Sequence, residues 1–477
     1  MKMSDRDNNN RILARNAVLN TIRQACAILF PLVTFPYITR VLGASNYGKI
    51  NFSVSVITYV SLVAQLGIKN YAIREGARLR DDKDKLENFI NEVFTISLLS
   101  TILAYSGLGV LLFSWNKLQD YRLIICILSL SIVFNTLGME WINSIFEDYL
   151  YITIRYVICH LIALVAILLL VNKQEDYIIY AFLSIIAGVL ANGFNIFYVR
   201  KKYSIHLRIK KKFKAHLKAI CLLFGMSIAI KIYVQADVLI IGVYESDAEV
   251  GYYTVAANMY MLIKQLINAV LIVAVPRISN MISKYEDKYV RKQLGTIHNI
   301  LLLIAFPAVA GLFMLKNDVV MLFSGEEYLS ASEPLGILAF SLFFATLGTF
   351  YSNVVMIPNR MEKHIFFITW INAILNIVLN IIFVPVMGIK AAAITTLVAE
   401  LLVCVSYFFF SHKMVLYSFK PYLCGGLIAG LVVGVCYIIK RAVFNTLLTV
   451  IISGCLSLLL FAMVCIVFFK RNYSGKQ

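Results

Sequence analysis

Residues 365–411 read IFFITWINAILNIVLNIIFVPVMGIKAAAITTLVAELLVCVSYFFFS, and only two of these side chains, Lys390 and Glu400, are charged. A bilayer-spanning helix needs roughly 20 consecutive apolar residues. The stretch holds two such lengths, 365–385 and 391–411, parted at Met387 to Lys390. The same pattern extends both ways along the chain. Candidate spans fall at 16–39, 48–68, 89–113, 122–145, 152–171, 178–199, 219–243, 252–275, 296–315, 334–357, 365–385, 391–411, 422–439 and 447–469. Fourteen spans of about 20 residues match the composition, which is 60% hydrophobic and 15% charged over 477 residues. Soluble domains run at about 45–50% apolar and about 25% charged. The fold class expected is an all-α polytopic membrane protein with about 14 transmembrane helices.

Charge placement sets the orientation. With the N-terminus in the cytoplasm, 32 Lys and Arg lie in inside loops and tails, 9 lie outside, and Arg23, Lys231 and Lys264 lie within spans. That bias satisfies the positive-inside rule and places both termini inside. It also accounts for the net charge of +18 without a nucleic-acid partner. The nine cysteines sit in apolar runs without Cys-x-x-Cys spacing, so neither disulfides nor a metal site are expected. Met1 to Arg15 is polar and the apolar run after it is long, so no cleaved signal peptide is expected. The loop from Arg200 to Lys218 has nine basic residues and no acids. It reads either as a retention signal on anionic headgroups or as a hinge joining two bundles. A short echo, Asn46-Tyr47-Gly48 against Val250-Gly251-Tyr252-Tyr253, favours two related halves.

No catalytic constellation stands out. The chain lacks a phosphate-binding loop with Lys-Ser or Lys-Thr, and its six histidines are scattered, so no cofactor is expected. What remains is polarity inside the spans, where charge is costly. Arg23 lies on a stripe with Asn16 and Asn20; Lys231 shares a face with Ser227 and Gln235; Lys264 sits near Asn258, Gln265 and Asn268. Three cations in the two halves suit a cavity that binds an anion, although Arg23 is shallow enough to snorkel. Asp237 and Glu400 are candidates for ion coupling or for buried salt bridges. Asn372, Asn376 and Asn380 repeat every fourth residue and read as interhelical glue or as sugar contacts. Pro31 and Pro36 should interrupt the first span's hydrogen-bond ladder and make it bendable.

The stretch Phe30-Pro31 through Phe35-Pro36-Tyr37-Ile38-Thr39-Arg40-Val41-Leu42-Gly43, with Tyr47-Gly48 and Leu66-Gly67-Ile68 to Arg74-Glu75, resembles the opening of bacterial polysaccharide flippases. These belong to the multidrug, oligosaccharidyl-lipid and polysaccharide exporter superfamily. Glu140-Trp141 to Glu147-Asp148-Tyr149 with Ile152 to Arg155, Gln235-Ala236-Asp237, Pro276-Arg277, Gly325-Glu326-Glu327-Tyr328, and Asn376 to Glu400 extend the likeness to about residue 410. It departs from the pattern before Glu147, where Ser144-Ile145-Phe146 replaces a small pair.

The resemblance implies two six-helix lobes around a central cavity plus two C-terminal helices, with alternating access and no ATP. The lobes would be 1–199 and 219–411, joined by the linker 200–218 and followed by 412–477. It implies a substrate too, an undecaprenyl-pyrophosphate-linked oligosaccharide turned to the outer leaflet of the bacterial cytoplasmic membrane. For such a substrate the cations inside the spans, Arg23 and Lys231 first and Lys264 after them, are the residues expected to contact the pyrophosphate. The other partners implied are membrane lipids and polysaccharide assembly proteins. A multidrug exporter of the same superfamily, or a membrane polymerase or ligase, remains as an alternative.

Overall fold

The computed structural model describes residues 3–208, 213–282, 284–443 and 445–473, and every regular element among them is helical. The chain divides into two compact units, Met1–Ile232 and Tyr233–Gln477, with the boundary inside α8 (Phe213–Tyr244). The first unit holds α1 (Met3–Gln65), α2 (Ile68–Leu79), α3 (Lys83–Ser114), α4 (Arg122–Gly138), α5 (Glu140–Ile145), α6 (Tyr149–Leu170) and α7 (Tyr177–Lys202). The second holds α9 (Asp247–Ile282), α10 (Asp287–Met314), α11 (Lys316–Ser324), α12 (Ser332–Thr349), α13 (Glu362–Met387), α14 (Ile389–Ser411), α15 (Lys420–Ala442) and α16 (Thr446–Tyr473).

Among the described residues, 11 helices are long and apolar enough to cross a membrane, or 12 if the bent pair Asp247–Ala269 and Ala274–Ile282 is one span. One of them, Val18–Leu79, is 62 residues long and takes in the length expected at 48–68 and all but the first two residues of that at 16–39. Its break lies at Gly43, with φ 73° and ψ 169°, a left-handed φ that glycine adopts without a Cβ penalty. The helix runs on through Pro31 and Pro36 instead of opening there. Nearby, the hydroxyls of Thr34 and Thr39 donate to the Phe30 and Phe35 carbonyls, each at 3.0 Å.

Burial is inverted relative to a water-soluble protein. Phe113, Phe197, Val386 and Leu169 are exposed, whereas Ser53, Ser55, Asn91, Asn195 and Ser341 are fully buried. Small polar side chains stitch the helices together inside. Ser100 Oγ donates to Ala64 O at 2.6 Å, the Thr101 and Thr136 hydroxyls meet at 2.7 Å, and Tyr105 Oη donates to Ser129 O at 2.7 Å. In hydrocarbon the apolar side chains cannot drive association by themselves, so such bonds and close packing do. This is a multi-pass membrane protein.

In the first unit α1 packs on α3, α4 and α6, while α7 packs on α4 and α6. In the second, α12 is the central helix, in contact with α9, α10 and α14. It continues into a π-helical turn, Phe350–Met356, most of it buried. The stretch 365–411 forms α13 and α14, and Gly388, with φ 61°, turns the corner between them.

The segment after α14 docks on α10: Leu416 N donates to Arg291 O at 3.1 Å. A Cβ on Gly295 would lie 2.1 Å from the Leu416 carbonyl oxygen, so only glycine permits this approach. Gly295→Ala should therefore lower the thermal unfolding midpoint in detergent, at a cost of about 1–3 kcal/mol for overpacking. Gly188→Ala is the control, because its methyl would meet nothing within 4 Å. It should leave the midpoint unchanged or raise it by the helix-propensity gain, up to about 1 kcal/mol.

Candidate functional site

Three cations from three helices converge on one carboxylate in the first unit. Arg155 Nη2 of α6 lies 3.1 Å from Glu140 Oε2, while Lys69 Nζ of α2 and Arg23 Nη1 of α1 lie 3.3 and 3.7 Å from Oε1. Asn20 Oδ1 accepts from Arg23 Nη2 at 3.4 Å. The Arg155 side chain is 4% exposed and Lys69 57% exposed, so the cluster grades from a fixed interior cation to a free outer one. Arg155 Nε and Nη1 are buried without a hydrogen-bond partner among the described residues. Its guanidinium instead lies 5.0 Å from the centre of the Tyr151 ring, a cation–π contact. The cluster thus carries two positive charges in excess of its one carboxylate.

Helix breaks create this meeting point. Leu66 and Gly67 take left-handed φ values of 44° and 69°, which separates α1 from α2 just before Lys69. Met139, at φ 48°, ends α4 and starts α5 at Glu140. The helix expected to continue to residue 145 therefore stops at Gly138. Asn195 Nδ2 donates to the Gly138 carbonyl at 2.6 Å and Asn143 Nδ2 donates to Asn195 Oδ1 at 2.6 Å. A Cβ on Gly138 would strike the Asn192 side chain. Broken backbone is tolerated at membrane depth where neighbours or a cavity satisfy it. Both conditions hold here, because the two breaks border a cavity of about 310 Å³ that Gln65, Asn135, Thr136, Trp141 and Asn192 help to line.

The second unit treats its two carboxylates differently. Glu400 accepts from Lys264 Nζ at 2.8 Å and from Tyr260 Oη at 3.2 Å, a buried pair with no net charge. Asp237 is 6% exposed and receives only neutral donors among the described residues: Tyr253 Oη, Thr396 Oγ1 at 2.7 Å and Asn380 Nδ2 at 3.0 Å. Asn380 also reaches Asn376 Oδ1 at 3.2 Å and accepts from Thr395 Oγ1 at 3.0 Å.

The remaining candidates are scattered. Lys231 is exposed, and no ion pair joins it to another described residue; Ser227, placed on its face, lies outside the described side chains. Gln235 and Asn258 are half-buried. Asn16 is buried, its amide 3.5 Å from Glu147, which pairs with Arg80 at 3.4 Å. Asn372 is buried and bonds back to the Ile368 carbonyl at 2.8 Å. The Asn372–Asn380 repeat thus binds its own helix and Asp237. From sequence, Arg23 was the visible member of the cationic cluster, whereas Lys69 and Arg155 read as loop charges. The turn residues Leu66-Gly67 and Gly138-Met139 were the available signal.

The Lys264–Glu400 pair makes a prediction about stability. Removing one partner of a buried pair costs about 3–5 kcal/mol, whereas removing both can be neutral. Lys264→Met should lower the unfolding midpoint strongly, and Lys264→Met with Glu400→Gln should restore most of the loss. A double variant no more stable than the single one would show that the pair is not what holds these helices.

A family model described as polysaccharide biosynthesis protein matches residues 13–282, more than half of the chain. Over 412 residues the chain is 24% identical to an Escherichia coli (strain K12) protein named "Putative O-antigen transporter", a match covering 83% of this chain and 96% of that protein. A structure of the lipid II flippase MurJ in an inward closed conformation superposes with a TM-score of 0.76 at 19% identity, covering 95% of this chain and 99% of that one. An inward-facing multidrug resistance MATE family transporter of the MOP superfamily gives 0.58 at 14% identity, covering 86% and 98%. At such identities the two structures establish the fold, and the family match establishes kinship: the chain belongs to the polysaccharide biosynthesis protein family, built on the helical fold of MurJ and the MATE transporters.

Proposed function

We propose that the protein is a flippase that carries an undecaprenyl-pyrophosphate-linked oligosaccharide from the inner to the outer leaflet of the bacterial cytoplasmic membrane. It works by alternating access of two lobes, 1–199 and 219–411, linked by 200–218, with both termini inside. The observation that carries this reading is the convergence of Arg23, Lys69 and Arg155 on Glu140. Glu140 occupies the position of an anion, and two cations' worth of charge is left for an incoming pyrophosphate. Lys231, exposed, is a further cation of the same kind; Lys264, neutralised by Glu400, is a structural one. Two negative charges leaving a negative interior gain about 4.6 kcal/mol per 100 mV, at about 2.3 per charge. The membrane potential thus favours export. Asp237, ringed by neutral donors, is the coupling carboxylate that takes up a proton or an alkali cation.

A multidrug exporter of cations would need an acidic or apolar cavity, which the three-cation cluster opposes. A polymerase or ligase would act after translocation. Labelling the lipid-linked oligosaccharide with a membrane-impermeant reagent in cells depleted of the protein separates these readings. A flippase leaves it trapped and unlabelled until the cells are opened; accessible single repeats would mean a later step. Arg155→Ala or Arg23→Ala should reduce export about tenfold or more, because each charge-assisted bond contributes about 1.5–3 kcal/mol. Arg23→Lys should retain more activity than the alanine variant. In vesicles, Asp237→Asn should remove any response of export to an imposed proton or sodium gradient while leaving the response to potential; a retained ion response would reject Asp237.

A further inference from the structure

We propose that the cavity beside Glu140 is a sugar subsite, which receives the monosaccharide joined directly to the carrier's pyrophosphate. The inference rests on the flippase reading and adds to it where, and by which groups, the sugar is read.

The chemistry of the lining decides between possible occupants. Gln65, Asn135 and Asn192 bring three carboxamides, Ser97 and Thr136 two hydroxyls, and Trp141 an indole. A lipid tail has no use for such groups, and burying the carboxamides against it would leave polar atoms unpaired, which is costly. A second phosphate fits poorly as well. Of the lining residues only Lys69 is cationic, and Glu140, which forms part of the same wall, would repel it. An ionised phosphate also cannot donate to carboxylate or amide oxygens. Sugar hydroxyls both donate and accept, which matches the paired donor and acceptor of each carboxamide and the acceptor-only carboxylate.

The amides are also presented for use. Asn192 Nδ2 donates to Asn135 Oδ1 at 2.7 Å. That bond fixes both planes and leaves the Asn135 amide nitrogen and the Asn192 carbonyl oxygen as a donor–acceptor pair. Gln65 Nε2 is held by Ser61 Oγ at 2.8 Å, which leaves its Oε1 as an acceptor. Asn135 and Gln65 are exposed, while Asn192 and Trp141 are buried, so the cavity has a rigid base and an open mouth. Its volume of about 310 Å³ is at the small end of ligand sites, about 300–1,000 Å³, which suits one ring better than a chain. The location is also right, because Lys69 and Glu140 belong both to the cavity and to the cationic cluster. A glycosyl phosphate needs adjoining sites for its two halves.

The test uses the full-length protein in nanodiscs, with Trp115→Phe and Trp370→Phe so that Trp141, the remaining one of three tryptophans, reports alone. Two ligands are titrated: the lipid-linked oligosaccharide extracted from cells depleted of the protein, and sugar-free undecaprenyl pyrophosphate. The sugar-bearing lipid should shift Trp141 emission and bind about tenfold or more tightly than the sugar-free one. Asn135→Ala or Gln65→Ala should remove about tenfold from the first affinity and change the second less than twofold. Equal affinity of the two lipids for the parent protein, or equal losses for both in the variants, would overturn the subsite. Lys69→Ala and Arg23→Ala test the underlying reading separately, since they should weaken both lipids. If those two have no effect while the Asn135-dependent increment persists, the pyrophosphate assignment falls and the sugar subsite stands. If neither lipid binds, both fall.

Discussion

The arrangement of the first unit follows from one electrostatic requirement: Arg155 is nearly fully buried among apolar helices and needs an anion. A guanidinium removed from water without a partner loses several kcal/mol of solvation. Glu140 supplies the countercharge at 3.1 Å, but it can do so only if the chain turns at Met139, since a straight continuation of α4 would carry residue 140 elsewhere on the helix. The turn in turn exposes the Gly138 carbonyl, which Asn195 caps. On the facing side Gly67 performs the same service for Lys69. Two helix breaks, a polar cavity and an ion cluster are thus one solution to one solvation problem. The result is not a neutral cluster, because three cations share the one carboxylate.

The second unit shows the alternatives. Glu400 meets a single lysine and the charges cancel; Asp237 meets hydroxyls and an amide, and as a carboxylate it would be negative. Local charges of about +2, 0 and, for Asp237 as a carboxylate, −1 therefore occur in one protein, the first of them in the most exposed setting. The middle value is what structural glue requires. The outer two cost desolvation, and charge inside a membrane protein often marks a functional site. That contrast is why the proposed function uses Arg23 and Asp237 and treats Lys264 and Glu400 as a structural pair.

The helical fold was legible because hydrocarbon demands apolar length, and the run at 365–411 can satisfy that demand in only one way. The corner at Gly388 could be read in the same stretch. The site was legible only in part. Arg23 and Asp237 stood out as charges inside spans, but Lys69 and Arg155 lie near span ends, where charge is ordinary. Their placement depends on Leu66, Met139 and Glu147 taking left-handed φ values, which ordinary side chains rarely announce. The Asn repeat in α13 was legible as a polar face but not in its partners. Spacing left glue and sugar contact open, and the bonds formed are glue: Asn380 joins Asp237 and Thr395 on neighbouring helices, while Asn372 bonds back to Ile368.

In the anion site proposed above, a carboxylate at the centre looks self-defeating, yet a transporter has to release what it binds. Three cations on an uncompensated pyrophosphate, at an effective dielectric well below that of water, would hold the ligand far too long. Conduction and transport alike need binding strong enough to load and weak enough to unload. In the proposed function an arriving pyrophosphate would share the three cations with Glu140, and as it departs the carboxylate would take back the full pairing. The cost of emptying the site is thereby offset by the re-formed ion pairs. Arg155, fixed and buried, would keep such a site in shape through the exchange, while Lys69, more than half exposed, would be free to follow the ligand. Specificity cannot come from that exchange, since any pyrophosphate could enter it. On the same proposal it would be read beside the phosphate, where the amides and the indole are.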